Sequence, residues 1–242
     1  MRQAAVGLRV HSGWSAMVAV CVEKGAPRVL ARERVQLVET FTYRFRQPYH
    51  TAEKMPLGEA RKFVSRVQAE AGKLAYRAIH SAQADLEKQG ITLTRFALLL
   101  ASGRVLPSFE KILASHALIH TADGELFREA LLSGAKGCGL EMIGIKEREL
   151  LERGRQMLRV QSTVLLRRIT ELGKIFGSPW SQDEKFATLA AWLALGSHKS
   201  NTIGGKTKNR KESTERTQRQ RRRDHGQDCL TCDRQGIHRL LP

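Results

Sequence analysis

Val6-Gly7-Leu8-Arg9-Val10-His11-Ser12-Gly13, followed almost at once by Ala16-Met17-Val18-Ala19-Val20-Cys21-Val22, decides the fold class. The second stretch is apolar throughout, as in a strand covered on both faces. Ser12-Gly13 and Glu23-Lys24-Gly25-Ala26-Pro27 carry turn chemistry, Gly supplying permissive dihedrals and Pro blocking continuation. A third run, 29–38, alternates: Val29, Ala31, Glu33, Val35 and Leu37 fall on one side, Leu30, Arg32, Arg34, Gln36 and Val38 on the other. That pattern suits a half-exposed edge strand. The first 38 residues therefore read as a three-stranded meander.

Beyond the meander the period changes. Residues 41–56 read as irregular, rich in Tyr, Arg and Pro. From about 56 to 88, Ala60, Phe63, Val64, Val67, Ala71, Leu74, Ala75, Ala78 and Ile79 make the apolar stripe of one long helix, stopped by Gly90. The apolar run 96–101 reads as a central strand. Helical spacing returns between 107 and 137, with Thr121 or Asp123 as the expected cap of a second helix inside it. Residues 140–145 are the next strand, 160–176 a helix broken by Gly177-Ser178-Pro179, and a last helix starts at Ser181 or Asp183. After His198 the chain turns polar and basic, and a segment so poor in apolar residues cannot offset its own ordering entropy. The expected organisation is an α/β domain over 1–197 and a disordered basic tail over 198–242.

Composition bounds the partners. The 242 residues hold 41 Lys and Arg against 24 Asp and Glu, a formal charge of +17. Such an excess favours polyanions, DNA or RNA first and an anionic membrane surface second, although a merely solvated basic surface reads the same way. No stretch reaches the roughly 18 apolar residues of a membrane span, and 16–22 lacks a cleavage signal, so a cytoplasmic location is expected. Of four cysteines, Cys21 and Cys138 lie in apolar contexts and are expected to be buried thiols.

Three strands, helix, strand, helix, strand, helix is an order that resembles the ribonuclease-H-like superfamily, and within it the RuvC-type Holliday-junction resolvases. Gly7-Leu8-Arg9-Val10 is similar to that family's first strand, where Gly-Ile-Asp-Pro is usual; 96–101 resembles its fourth strand, which usually carries a Glu; 181–191 resembles its last helix, which starts with acidic residues and continues Ala-rich. The resemblance implies a three-layer fold with a mixed central sheet and flanking helices. It also implies a nuclease site of three or four carboxylates holding divalent metals. Here the usual Asp position is Arg9, the fourth strand has no acid before Glu110, and only Asp183 and Glu184 remain. The actin-like ATPases share the strand order, but they need two such domains and Gly-rich phosphate loops that this chain does not show.

Several constellations are candidate sites. His116 and His120 stand four apart, with Asp123 and Glu125 close behind; on one helix face, two imidazoles and a carboxylate can hold a transition metal, while the bland alternative is a turn and helix start at 120–125. His11 ends the first strand, where open α/β folds tend to place ligands, or else Ser12-Gly13 makes a hairpin turn with Trp14 packing beside it. Tyr43-Arg44-Phe45-Arg46-Gln47-Pro48-Tyr49-His50 interleaves aromatic and basic residues and can stack bases while pairing phosphates, or serve as a loop pinned by aromatics. In the tail, Arg221, Arg222 and Arg223 are candidate phosphate contacts, and His225, Cys229, Cys232 and His238 are weak candidate zinc ligands. Three expectations follow. The first is a non-catalytic protein that binds nucleic acid or a partner protein, with Arg44, Arg46 and Arg221–Arg223 as the candidate phosphate contacts. The second is a divalent-metal-dependent phosphodiesterase using His11, His116, His120, Asp123, Glu125 or Asp183. The third is a structural or protein-interaction module whose ligand is a partner chain. No cofactor is expected unless the second holds.

Overall fold

Alternation along the first strand sorts the molecule into layers. The computed structural model describes residues 2–101 and 105–196. In it β1 (Arg2–His11) sends Ala4, Val6 and Leu8 into one core cluster and Ala5 into another. Gly7, Arg9 and His11 share the face of Ala5 by the period of two. β2 (Trp14–Glu23) and β3 (Ala26–Gln36) complete an antiparallel meander, and β4 (Ile91–Leu100) and β5 (Glu141–Lys146) add on in parallel. The sheet order is β3-β2-β1-β4-β5. β3 is thus the edge strand that its alternation suggested, and β1 and β2 are inner strands.

One face of the sheet is covered by α3 (Leu57–Glu87) and α5 (His116–Gly137). Ala60, Phe63, Val64, Val67, Ala71, Ala75 and Ile79 are buried along α3, as the stripe required. The two helices cross closely: a Cβ on Gly134 would lie 2.7 Å from the Tyr76 amide nitrogen. The other face is covered by α8 (Gln182–Gly196). Its residues Ala187 through Ala194 are all buried, because α6 (Leu150–Leu158) and α7 (Ser162–Leu172) close over its outer side. Gly7 lets α8 rest directly on β1, since a Cβ there would sit 1.9 Å from the Ala187 carbonyl oxygen.

The structure corrects the sequence reading in five places. Residues 41–56 are not irregular but hold two short helices, α1 (Tyr43–Arg46) and α2 (Pro48–Ala52). Between 107 and 137 a short α4 (Phe109–Leu113) precedes α5, and no helix starts at Thr121 or Asp123. Both side chains are satisfied otherwise: Thr121 Oγ1 donates to the Ala117 carbonyl one turn back, and Asp123 accepts from α2. A register shift opposite Ala19 and Val20 bulges β3 at Leu30, so Val29 and Val35, expected on one face, enter opposite cores. A 3₁₀ turn (Glu147–Glu149) leads into α6, which the charged run 146–159 had concealed. Cys21 is a buried thiol, but Cys138 is only half-buried. The expected boundary near 197 and the tail 198–242 lie outside the described residues. Among the described residues no helix is long and apolar enough to cross a membrane.

Candidate functional site

The carboxyl end of β1 gathers the first group of functional side chains. Arg9 and His11 point from β1 toward the start of α8. That start is built by a capping box: Glu184 Oε2 accepts from the Ser181 amide (2.8 Å) and hydroxyl (2.5 Å), while Ser181 Oγ accepts from the Asp183 amide (3.1 Å). Glu184 is therefore consumed by the cap. Asp183 alone faces the sheet, where the positive end of the α8 dipole favours it. Arg9 forms a fork with Glu147, Nη2 to Oε1 at 2.6 Å and Nε to Oε2 at 3.1 Å, and its Nη1 donates to Asp183 Oδ1. His11 Nε2 shares the same Asp183 oxygen at 2.8 Å. Hydrogen bonding to Glu147 raises the Arg9 pKa further above its already high ordinary value, against the opposing effect of burial.

This locus does not fit a carboxylate-held pair of divalent metals. Two carboxylates converge, Asp183 and Glu147, and one guanidinium already pairs with both. The neighbouring positions of β4 on this face are the buried apolar Ala97 and Leu99. Arg9 itself supplies the positive charge between these two carboxylates.

From His11 an aromatic and basic surface extends across the sheet edge. His11 and Trp14 flank the Ser12-Gly13 hairpin turn, with Gly13 at φ +81°, and their rings stack at 4.4 Å. The motif is a hairpin turn, and its histidine reaches the Asp183 carboxylate. The Arg34 guanidinium lies 4.0 Å from the Trp14 ring, and Arg46 lies 4.4 Å from Phe41 while donating to the Ser12 carbonyl. Arg44 lies 5.1 Å from the Phe63 ring. Among the described residues, none of Arg34, Arg44 and Arg46 is paired with a carboxylate. Phe41 and Tyr43 are exposed.

The second group lies on the other side of the sheet, where α2 meets the first turns of α5. His116, His120 and Asp123 stand at i, i+4 and i+7 on one face of α5. Asp123 is buried, and α2 satisfies both its oxygens: the Tyr49 amide donates to Oδ1 at 2.7 Å and His50 Nδ1 to Oδ2 at 2.5 Å. Burial pushes the Asp123 carboxyl above its ordinary range, and the hydrogen bond from His50 pulls it back. Nε2 of His116 and of His120 are 3.1 Å apart, and the His50 ring centre is 5.3 Å and 4.4 Å from theirs. One ring nitrogen from each of the three histidines lies within 4.8 Å of the other two. Glu125 is elsewhere: nine residues after His116 it stands about 180° around the helix, paired with Arg128 at 3.0 Å.

The expected residues thus split into two sets. His11 and Asp183 meet at the end of β1. His116, His120 and Asp123 meet on the opposite layer with His50, a residue noted for its aromatic and basic surroundings and not as a ligand. Glu147, Trp14, Arg34 and Phe41 were not anticipated as site residues. Arg221, Arg222, Arg223, His225, Cys229, Cys232 and His238 lie outside the described residues.

A meander of three antiparallel strands, two further strands parallel to β1, and a final helix packed on β1 define a ribonuclease-H-like α/β fold. Two solved structures of RuvC from Thermus thermophilus are similar to the chain. One, in complex with a Holliday junction substrate, is 11% identical, covers 79% of this chain and 91% of its own, and has a TM-score of 0.45. The other is 14% identical, covers 78% and 92%, and has a TM-score of 0.42. No protein-family model and no curated protein matches the sequence.

Proposed function

We propose that this protein binds nucleic acid without cutting it at the end of β1, on a ribonuclease-H-like scaffold whose carboxylate site has become an ion-pair cluster. The observation that carries the reading is Arg9, held between Glu147 and Asp183 where a nuclease of this fold needs an acid. Beside it, Trp14, Arg34, Phe41 and Arg46 combine aromatic faces with guanidinium groups that no carboxylate of the described residues pairs, the composition that stacks bases and pairs phosphates. The net charge of +17 adds long-range attraction for a polyanion.

Fluorescence anisotropy with labelled single-stranded, duplex and branched DNA and with RNA tests the proposal. Affinity should fall by at least tenfold between about 50 mM and about 200 mM salt, and the Arg34→Ala/Arg46→Ala variant should bind more weakly with a shallower salt slope. Binding indifferent to both salt and these arginines would sink the electrostatic interface. Metal-dependent cleavage that disappears in Asp183→Asn would instead show that the end of β1 is catalytic.

A further inference from the structure

We propose that His50, His116 and His120 form a binding site for a zinc-class transition metal, with Asp123 as the positioning residue that orients His50. The inference is independent of nucleic-acid binding and of the Arg9 locus, which lies on the other face of the sheet.

As a carboxylate Asp123 can only accept, which puts the proton of their 2.5 Å hydrogen bond on His50 Nδ1 and leaves Nε2 for a metal. A buried carboxylate gripping the far nitrogen of a histidine is the usual outer partner of a histidine metal ligand: it sets the tautomer, fixes the ring and makes the free nitrogen a better donor. The other two ligands stand one helical turn apart on α5. Their Nε2 atoms, 3.1 Å apart, would direct lone pair against lone pair unless a proton or a cation lies between them. Metal–nitrogen bonds of 2.0–2.1 Å in tetrahedral geometry place ligand atoms roughly 3.3 Å apart, close to the spacing seen. One ring nitrogen of each histidine lies within 4.8 Å of the other two, so the three rings are near enough to share one ion once they turn toward it.

Ligand chemistry selects the ion. Three imidazoles suit Zn²⁺, Co²⁺, Ni²⁺ or Cu²⁺, and offer little to Mg²⁺ or Ca²⁺, which prefer oxygen. The site is anchored on one side and open on the other. His50 is nearly enclosed, with its side chain 9% exposed, whereas His116 and His120 are exposed. Three protein ligands with a fourth position facing solvent is the arrangement of zinc sites that keep a water or take an anionic oxygen, in contrast to closed four-ligand structural sites.

The test uses the full chain carrying Cys229→Ser and Cys232→Ser, which removes any thiolate ligands from the tail. After stripping with a chelator, zinc is titrated in competition with a chromophoric indicator, and Co²⁺ is added separately to read its visible spectrum. The expected result is one tight zinc per chain, a tetrahedral-type Co²⁺ spectrum without thiolate charge-transfer bands, and a zinc-dependent rise in Tm. His116→Ala and His120→Ala, at exposed positions that should not disturb folding, should abolish the tight site and the rise in Tm. Asp123→Asn should weaken binding by about 10- to 100-fold, provided circular dichroism shows that it folds. Absence of tight zinc binding in the Cys229→Ser/Cys232→Ser chain overturns the proposal. So does equal zinc affinity in the two exposed histidine variants.

Discussion

At the scale of single residues, Arg9 determines what the end of β1 can do. Its guanidinium neutralises Glu147 and Asp183, which would otherwise face each other from different elements of the fold. Replacing it leaves two partly buried carboxylates with no counterion among the described residues but His11, a loss of roughly 1–3 kcal/mol. The Arg9→Asp variant goes further and sets three carboxylates together. In the presence of a chelator its Tm should fall by several degrees, and Mn²⁺ should restore part of the loss, because hard oxygen ligands then have a cation to share. Thermal melts with and without Mn²⁺ check this, and a variant as stable as the parent in chelator would show that the ion pairs contribute nothing. Arg9 was legible in the sequence as a departure from an acid. Its partner Glu147 was not, since it is 138 positions away and sits in a charged run where any carboxylate looks solvated.

Among elements, the contact of α8 with β1 is close enough to depend on a single residue. The helix is rich in alanine and buried all round, so its backbone lies nearly against the strand. Gly7 is the residue that permits it. A methyl group there would meet the backbone of α8 at Ala187 and Ala191, which cannot move aside as a side chain can. Gly7→Ala should therefore cost about 3 kcal/mol, at the upper end of ordinary overpacking, and lower Tm by about 6–12 °C in a melt followed by circular dichroism. A change of a degree or less would show that α8 sits farther from the sheet than described here. The same displacement would move Asp183 away from Arg9 and His11. In the other layer, α2 and α5 are joined through Asp123, whose burial depends on receiving the Tyr49 amide and His50 together. That junction was hidden in the sequence because 73 residues separate His50 from Asp123, and because Asp123 looks like a helix cap when seen alone.

For the whole molecule, the three core clusters of the described residues draw on side chains from Ala4 to Leu195. A chain of residues 1–197 should accordingly unfold cooperatively with a Tm within about 2 °C of the full chain. A broadened or strongly lowered transition would place part of the fold's support beyond 197. The basic excess is shared by the domain and the residues after it, so the shortened chain should keep salt-sensitive binding with a smaller slope. What the sequence by itself determined is the layer order: runs of Val, Ala and Leu with period two, and an apolar stripe with period 3.6, leave few ways to bury both. It also determined that the usual acid of the first strand is absent, because that is a matter of residue identity. Tertiary structure alone decided which charges and imidazoles meet. Local periodicity says which side of an element a residue is on; it carries no information about which distant element packs against that side. Arg9 with Glu147 and Asp183, and His50 with His116, His120 and Asp123, are both products of that packing.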